Sequence, residues 1–285
     1  MILVGTSGFS YRDWVGSFYP EGTRPRDMLA HYARRFPVVE LNFSYYRMPD
    51  ARTLASMDRR TPDRFEFLIK AHQSMTHDIP ADPAERRAVF EEFRAAVRPL
   101  EESGKLGCVL FQFPWKHRPS AETVSYLGEI RDRYPDLPLV VEFRNREWVR
   151  PETHETLRRL GLGYCCVDEP ALKGLMPRES VVTSGIGYVR FHGRNRAKWW
   201  NHKEPWERYD YLYTREELEE WVPRVRDMET RTEKTYVLYN NCHAGQAATN
   251  AQMMLELLGT QPSPFGGAGG RPGGRRSGGT RASGG

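Results

Sequence analysis

In the stretch "LVVEFRN" from Leu139, a glutamate and an arginine, Glu142 and Arg144, stand two residues apart. On a strand that spacing puts both on one face. The same alternation lines up other chemically able side chains: Glu40 with Asn42, Lys70 with His72, Gln112, Asp168 in line with Cys166, Arg190 with His192, and Asn240 or Asn241. Two carboxylates can divide the work of general acid and base when cations keep one ionised and burial raises the other. Glu142 and Glu40 are therefore read as that pair, with His192 as proton shuttle or orienter. Lys70, Arg144 and Arg190 suit an anion, because arginine grips phosphate or carboxylate through a planar fork and lysine acts as a point charge. A lysine in such a pocket can also lose its proton and form a Schiff base. No cofactor is expected. The alternative is a divalent metal on Glu40, Glu142, Asp168 and His192, with His72 beside them, although the sequence has neither HxH nor HExxH. The bland account is that these charges neutralise one another in a structural network.

Charged groups from so many segments need a scaffold that gathers them. Strand-like runs begin at Ile2, Val38, Phe65, Cys108, Leu139, Tyr164, Ile186 and Thr235. Helical patterns fill most of the gaps. They start at Pro25, at Pro83 (with Val89, Phe93 and Val97 on one face), after a capping Ser120, at Pro151 before a closing Gly161, at Thr214 and at Gly245. The crossover from Glu169 to Gly185 is the weakest. Eight strand–helix repeats in about 260 residues predict a TIM (β/α)8 barrel as a single domain over 1–259. An open doubly wound sheet would carry a glycine-rich phosphate turn, and "GTSG" at Gly5 is not one.

A barrel also accounts for where the polarity falls. The alternate faces, such as Leu139, Val141 and Phe143, are apolar and pack on helices, while the polar set gathers toward the strand ends. Active sites of such barrels lie at the C-terminal mouth. The loop at Gly193 and the start of the last helix, Asn241–Gly245, are where this fold commonly holds a phosphate, so Gly193, Asn240 and Asn241 join Asn42, His72, Gln112, Asp168, Arg144 and Arg190 as binding residues. His77, in "MTHD", is read as ordering a loop.

The formal net charge of +5 owes four arginines to the acid-free stretch 260–285, "TQPSPFGGAGGRPGGRRSGGTRASGG", which leaves +1 for the rest. Overall basicity therefore does not argue that the barrel grips nucleic acid. The tail is expected to be disordered and solvated. The four cysteines form no CxxC and sit in apolar runs, so they are expected to be reduced core residues. No apolar run is long enough to span a membrane, and "MILVGTSG" reads as a first strand rather than a signal peptide, so a cytoplasmic location is expected.

Several segments, in order, resemble the YecE-like proteins, the domain-of-unknown-function family numbered 72. They are "GTSGFSYRDW" with "FYP", "VVELNFSYYRMP", "FLIKA" with "THD", "VLFQFP", "VEFRNREW", "YVRFHG" and "YNN" with "AATNAQ", which together cover nearly all of residues 2–259. Departures at Tyr239 of "YNN" and Trp115 of "FPW" fall outside the polar set. The resemblance implies a TIM barrel in the broad neighbourhood of endonuclease IV and xylose isomerase-like barrels, and implies no activity.

The segment Arg194–Tyr213 is long for its place and mixes Trp199, Trp200, Trp206, Tyr209, Tyr211 and Tyr213 with cations. It can serve as a lid over the mouth, as a stacking surface for bases or sugars, or as a self-packed loop. The main expectation is an enzyme doing acid/base chemistry on a small anionic or phosphorylated substrate. The alternatives are a nucleic-acid-binding or processing protein, and a non-catalytic binding module.

Overall fold

The computed structural model describes Met1–Gly259. The stretch from Thr260, with the disorder expected of it, lies outside the described residues. Eight parallel strands close into a barrel in sequence order: β1 Ile2–Ser7, β2 Val38–Leu41, β3 Glu66–Lys70, β4 Leu106–Gln112, β5 Leu139–Glu142, β6 Gly163–Asp168, β7 Ile186–Phe191 and β8 Lys234–Tyr239. Pairing of β1 with β8, from Ile2 opposite Thr235 to Thr6 opposite Tyr239, completes the cylinder. Closure leaves no unpaired sheet edge.

The helices are α1 Pro25–Tyr32, α2 Phe43–Tyr46, α3 Ala51–Asp58, α4 Pro83–Glu102, α5 Ala121–Arg133, α6 Pro151–Arg159, α7 Arg215–Glu219, α8 Val222–Thr230 and α9 Gln246–Leu257. Their starts follow local chemistry. Pro25, Pro83 and Pro151 open α1, α4 and α6, where a missing N–H costs nothing. Ser120 and Thr123 cap α5 reciprocally, and Gly161 follows α6 with φ +62°. Two details differ from the sequence expectation. The pattern from Thr214 is two helices, because Pro223 can take only a first-turn position and so restarts the chain as α8. The segment after β2 holds α3, started by the Asp50 carboxylate accepting from the Arg52 and Thr53 amides. Between β6 and β7 no helix forms.

Outward side chains of the strands pack under the helices, with Phe67, Ile69, Val109, Phe111, Val141, Val189 and Val237 all buried. Inward side chains fill the barrel in layers. At the N-terminal end, Tyr236 Oη donates to Glu66 Oε2 at 2.5 Å and Lys234 Nζ pairs with Glu66 Oε1 at 2.8 Å. Gly107 leaves room for this plug, since a Cβ there would lie 2.8 Å from Tyr236 Oη. Leu68, Leu110 and Val140 form an apolar layer above it. The four cysteines are free thiols, with Cys108, Cys165 and Cys166 buried. Among the described residues no helix is long and apolar enough to cross a membrane.

Candidate active site

Above the apolar layer the barrel interior turns polar. Glu40 on β2, Glu142 on β5 and Arg190 on β7 are buried together. Arg190 Nη2 donates to Glu40 Oε1 at 2.7 Å and Nη1 to Glu142 Oε2 at 2.6 Å. Tyr188 Oη donates to the second Glu40 oxygen at 2.6 Å. Burial alone would push the Glu142 carboxyl up, but Arg144 and Arg190 outweigh it and hold it well below the usual carboxylate range. A guanidinium bridging two carboxylates satisfies charges that would otherwise be costly to desolvate.

His192 follows β7 and closes one side of this tier. Its Nε2 lies 3.2 Å from Glu142 Oε1, and Asn240 Nδ2 donates to its Nδ1 at 3.1 Å. The Asn240 contact assigns the proton to Nε2 and makes the ring a donor to Glu142. Burial, then the charge of Arg144, lowers the imidazole to about 3, so it is neutral at pH 7. Both ring nitrogens are engaged, which suits an orienting residue better than a shuttle.

Arg144 lies one step toward solvent, paired through Nε with Glu142 and lying 3.8 Å from Glu169 Oε2 through Nη1. The chain can place it there because β5 ends at Glu142 and the next residues turn sharply. Asn145 accepts from the Glu147 amide at 3.0 Å and donates to the Trp115 carbonyl at 3.0 Å, and Trp148 stacks on Phe143 at 4.0 Å. Lys70, the last residue of β3, donates from Nζ to Gln112 Oε1 at 2.8 Å and sits 4.2 Å from the Tyr45 ring centroid. Among the described residues it has no ion-pair partner. Burial, helped by the charges of Arg190 and Arg144, lowers its ammonium to about 7. Glu169, the residue after β6, is buried and accepts from the Met176 amide at 2.7 Å. Burial pushes its carboxyl up to about 7 against the pull of Arg144.

Lys70, Arg144, Gln112 and Glu169 line one cavity of about 300 Å³ at the C-terminal end of the barrel. Tyr45, His77 and Trp115 form more of its wall, and Trp199, Trp200, Arg208 and Tyr209 of the long loop roof it. Arg208 lies 5.9 Å from the Trp199 ring and 5.8 Å from the Tyr209 ring, within reach of both aromatic faces. The loop therefore both packs on itself and covers the mouth.

The strand alternation places most of the polar set inward, but not all of it. Asp168 points outward, where it accepts from Arg194 Nε and Nη2 at 2.9 and 2.8 Å, Tyr213 Oη at 2.8 Å and Trp221 Nε1 at 2.7 Å. The inward positions of β6 are Cys165 and Val167, so the polar residue that reaches the mouth is Glu169. His72 also turns away from the mouth. Its Nδ1 accepts from the Ser74 amide at 3.3 Å and caps the short helical turn Gln73–Met75, while His77 reaches the cavity wall. Those two histidines take each other's expected places, because alternation stops at Lys70 where the strand stops. Asn42 has a buried Oδ1 with no hydrogen-bond partner.

The expected phosphate position is already filled. Gly193 N donates to Tyr213 Oη at 2.8 Å, Asn241 Nδ2 to the Tyr211 carbonyl at 2.8 Å, and Ala244 N to Asp13 Oδ2 at 2.7 Å. The four residues named for a metal do not converge, since Arg190 stands between Glu40 and Glu142, and Asp168 faces the helices. Among the described residues no group of three or more His, Cys, Asp or Glu side chains could hold a metal ion.

A family model described as "Protein of unknown function DUF72" matches residues 3–272. The UPF0759 protein YunF of Bacillus subtilis is 35% identical over 274 residues, covering 90% of this chain and 95% of its own. A DUF72 family crystal structure from Thermotoga maritima superimposes with a TM-score of 0.84 at 42% identity, over 91% of this chain and 99% of the other. One from Enterococcus faecalis gives 0.81 at 28% identity, over 92% and 96%.

Proposed function

The chain belongs to the DUF72 family, whose description names no activity, so the site must speak for the function, and from it we propose an enzyme that works by acid/base chemistry on a small anionic molecule. The observation that carries this is a cavity in which a cation, Arg144, lines the same wall as two groups poised to exchange protons near pH 7, Lys70 and Glu169. Arg144 binds the anion. Lys70 serves as base when neutral, and Glu169 as acid when protonated. Glu142 fixes Arg144, and the Glu40–Arg190 bridge fixes Glu142, with His192 and Asn240 locking the far oxygen. A volume of about 300 Å³ suits a metabolite-sized molecule.

A thermal-shift series with small carboxylates and phosphates tests it. Wild type should be stabilised by at least one of them. Arg144→Gln should bind that anion ~10–100-fold more weakly, the usual loss for a hydrogen bond to a charged group. No stabilisation by any anion, or equal stabilisation of the variant, would sink the proposal.

One observation favours a second reading, contact with single-stranded nucleic acid: Trp115, Trp200 and Trp206 are exposed around the mouth, with Arg118 beside Trp115 and His243 stacked on Trp206 at 4.3 Å. Salt-sensitive oligonucleotide binding that falls on Trp200→Ala would support it.

A further inference from the structure

We propose that Lys70 is a nucleophile that forms an imine, and that the molecule it takes is a small 2-oxo acid, its carbonyl meeting Lys70 Nζ and its carboxylate meeting Arg144. This rests on the anion-binding reading above and gives it a substrate class.

Four features of the site carry it. Lys70 is the amine of the cavity wall, and among the described residues no carboxylate neutralises it. A lysine kept as a structural charge this deep in a barrel would need such a partner. Lys105 shows the difference in the same molecule, since its buried Nζ pairs with Asp58 at 2.9 Å and is held by two Thr61 oxygens and the Asp58 carbonyl. Second, the one hydrogen bond Lys70 makes, to Gln112 Oε1, uses an N–H and leaves the nitrogen lone pair free once the ammonium proton is lost. Third, two arginines nearby, Arg144 and Arg190, disfavour the ammonium, the device that activates amine nucleophiles next to other cations. Fourth, Glu169 lines the same cavity and is half-protonated near pH 7, so a proton donor is present for the departing oxygen. Arg144 supplies the planar fork that a carboxylate needs, which points to a carbonyl compound bearing a carboxylate rather than a neutral sugar.

The step balances without a further reactant. The neutral amine adds to the carbonyl carbon, forming the C–N bond. One N–H proton passes to the former carbonyl oxygen. That C–O bond then breaks, and the oxygen leaves as water with the proton of Glu169. The products are a protonated imine on Lys70, a Glu169 carboxylate and water. The new positive charge is favoured by the Glu142 and Glu40 carboxylates and opposed by Arg190 and Arg144, the same opposing fields that act on the Lys70 ammonium. The Glu169 carboxylate is then the base for a proton on the neighbouring carbon, whose electron pair flows into the iminium.

Reductive trapping tests this. The full-length protein is incubated with pyruvate and sodium cyanoborohydride at pH 7, and the labelled lysine is located by peptide mapping. Lys70 should be labelled at least ~100-fold faster than the other six lysines, because about half of it is neutral at pH 7 against well under one per cent of an ordinary lysine. Arg144→Gln removes a charge that keeps Lys70 neutral and so slows labelling by both ketones, but it should slow labelling by pyruvate at least ~10-fold more than labelling by the neutral ketone hydroxyacetone. Labelling of Lys70 no faster than of the other lysines overturns the imine. An equal effect of Arg144→Gln on both ketones overturns the 2-oxo acid. Mapping the labelled peptide in wild type keeps the test decisive without any substitution at Lys70. Stabilisation of wild type by pyruvate without labelling of Lys70 removes this inference alone, whereas no stabilisation by any anion removes the anion-binding reading on which it rests.

Discussion

Arg190 Nη2 and Glu40 Oε1 meet at 2.7 Å although 150 residues separate them in the chain, joining β7 to β2 past β8 and β1. The other arm of the same guanidinium holds Glu142. Arg190→Met would leave two buried carboxylates facing each other with their bridge gone. The expected loss is ~3–5 kcal/mol of stability, the usual cost of breaking a buried ion pair from one side. Urea unfolding at pH 7 measures it, and a loss below ~1 kcal/mol would mean that the bridge is not what keeps these charges inside.

Glu169 ties stability to pH with an unusual sign. Its folded carboxyl titrates at about 7, above the unfolded value of about 4, so between these pH values the native state holds more protons than the unfolded chain. Glu169 by itself therefore contributes stability that is lost as the pH rises from about 4 to about 7, against the opposite trend of buried groups such as His192 that are lowered on folding. Glu169→Gln removes that dependence, and its stability relative to wild type should rise by up to ~3 kcal/mol between pH 4 and pH 8. Urea midpoints of both proteins at the two pH values check it. A gap that stays constant, or that moves the other way, contradicts the buried-acid account.

Which of these residues could be found in the sequence depended on whether the alternation was followed inside a strand or beyond its end. Glu40, Lys70, Gln112, Glu142 and Arg190 lie within strands, where side-chain direction strictly alternates, and all five face inward. His72 and Asn241 lie just past strand ends, where the backbone turns and alternation no longer fixes direction, although Arg144 and His192, also past strand ends, still reach the site. Asp168 failed for another reason. A polar residue on the outward face of a barrel strand is costly unless it is fully bonded, and Trp221, Tyr213 and Arg194, which bond it, are more than 25 positions away in sequence. Glu169 gives a faint signal, being on the same side as Val167, but the polarity of Asp168 points the β6 pattern to the Cys166 face. The barrel was legible because eight apolar runs with helical gaps admit few closed arrangements; α3 was missed because a short half-exposed helix leaves little periodicity.

Asp168 binds both ends of the long loop, Arg194 at its start and Tyr213 at its close. Asp168→Ala strips four buried or half-buried donor contacts at once. It should speed proteolysis within 194–213 more than tenfold while the barrel stays folded, and should weaken any ligand held under Trp199 and Tyr209. Limited proteolysis followed by mass mapping reads the first effect and thermal shift the second. Cleavage at the wild-type rate would show that the loop is held by its own packing alone.

The N-terminal end of the barrel is stoppered by Glu66, Lys234 and Tyr236 under Leu68 and Leu110. A vessel closed at its base has a single doorway, and here that doorway lies beneath Trp199, Trp200 and Tyr209. Whatever enters must leave by the same route. For the proposed enzyme, incoming and outgoing molecules would then exclude each other, which would make the product a competitor of its own precursor and give the loop control over passage in both directions.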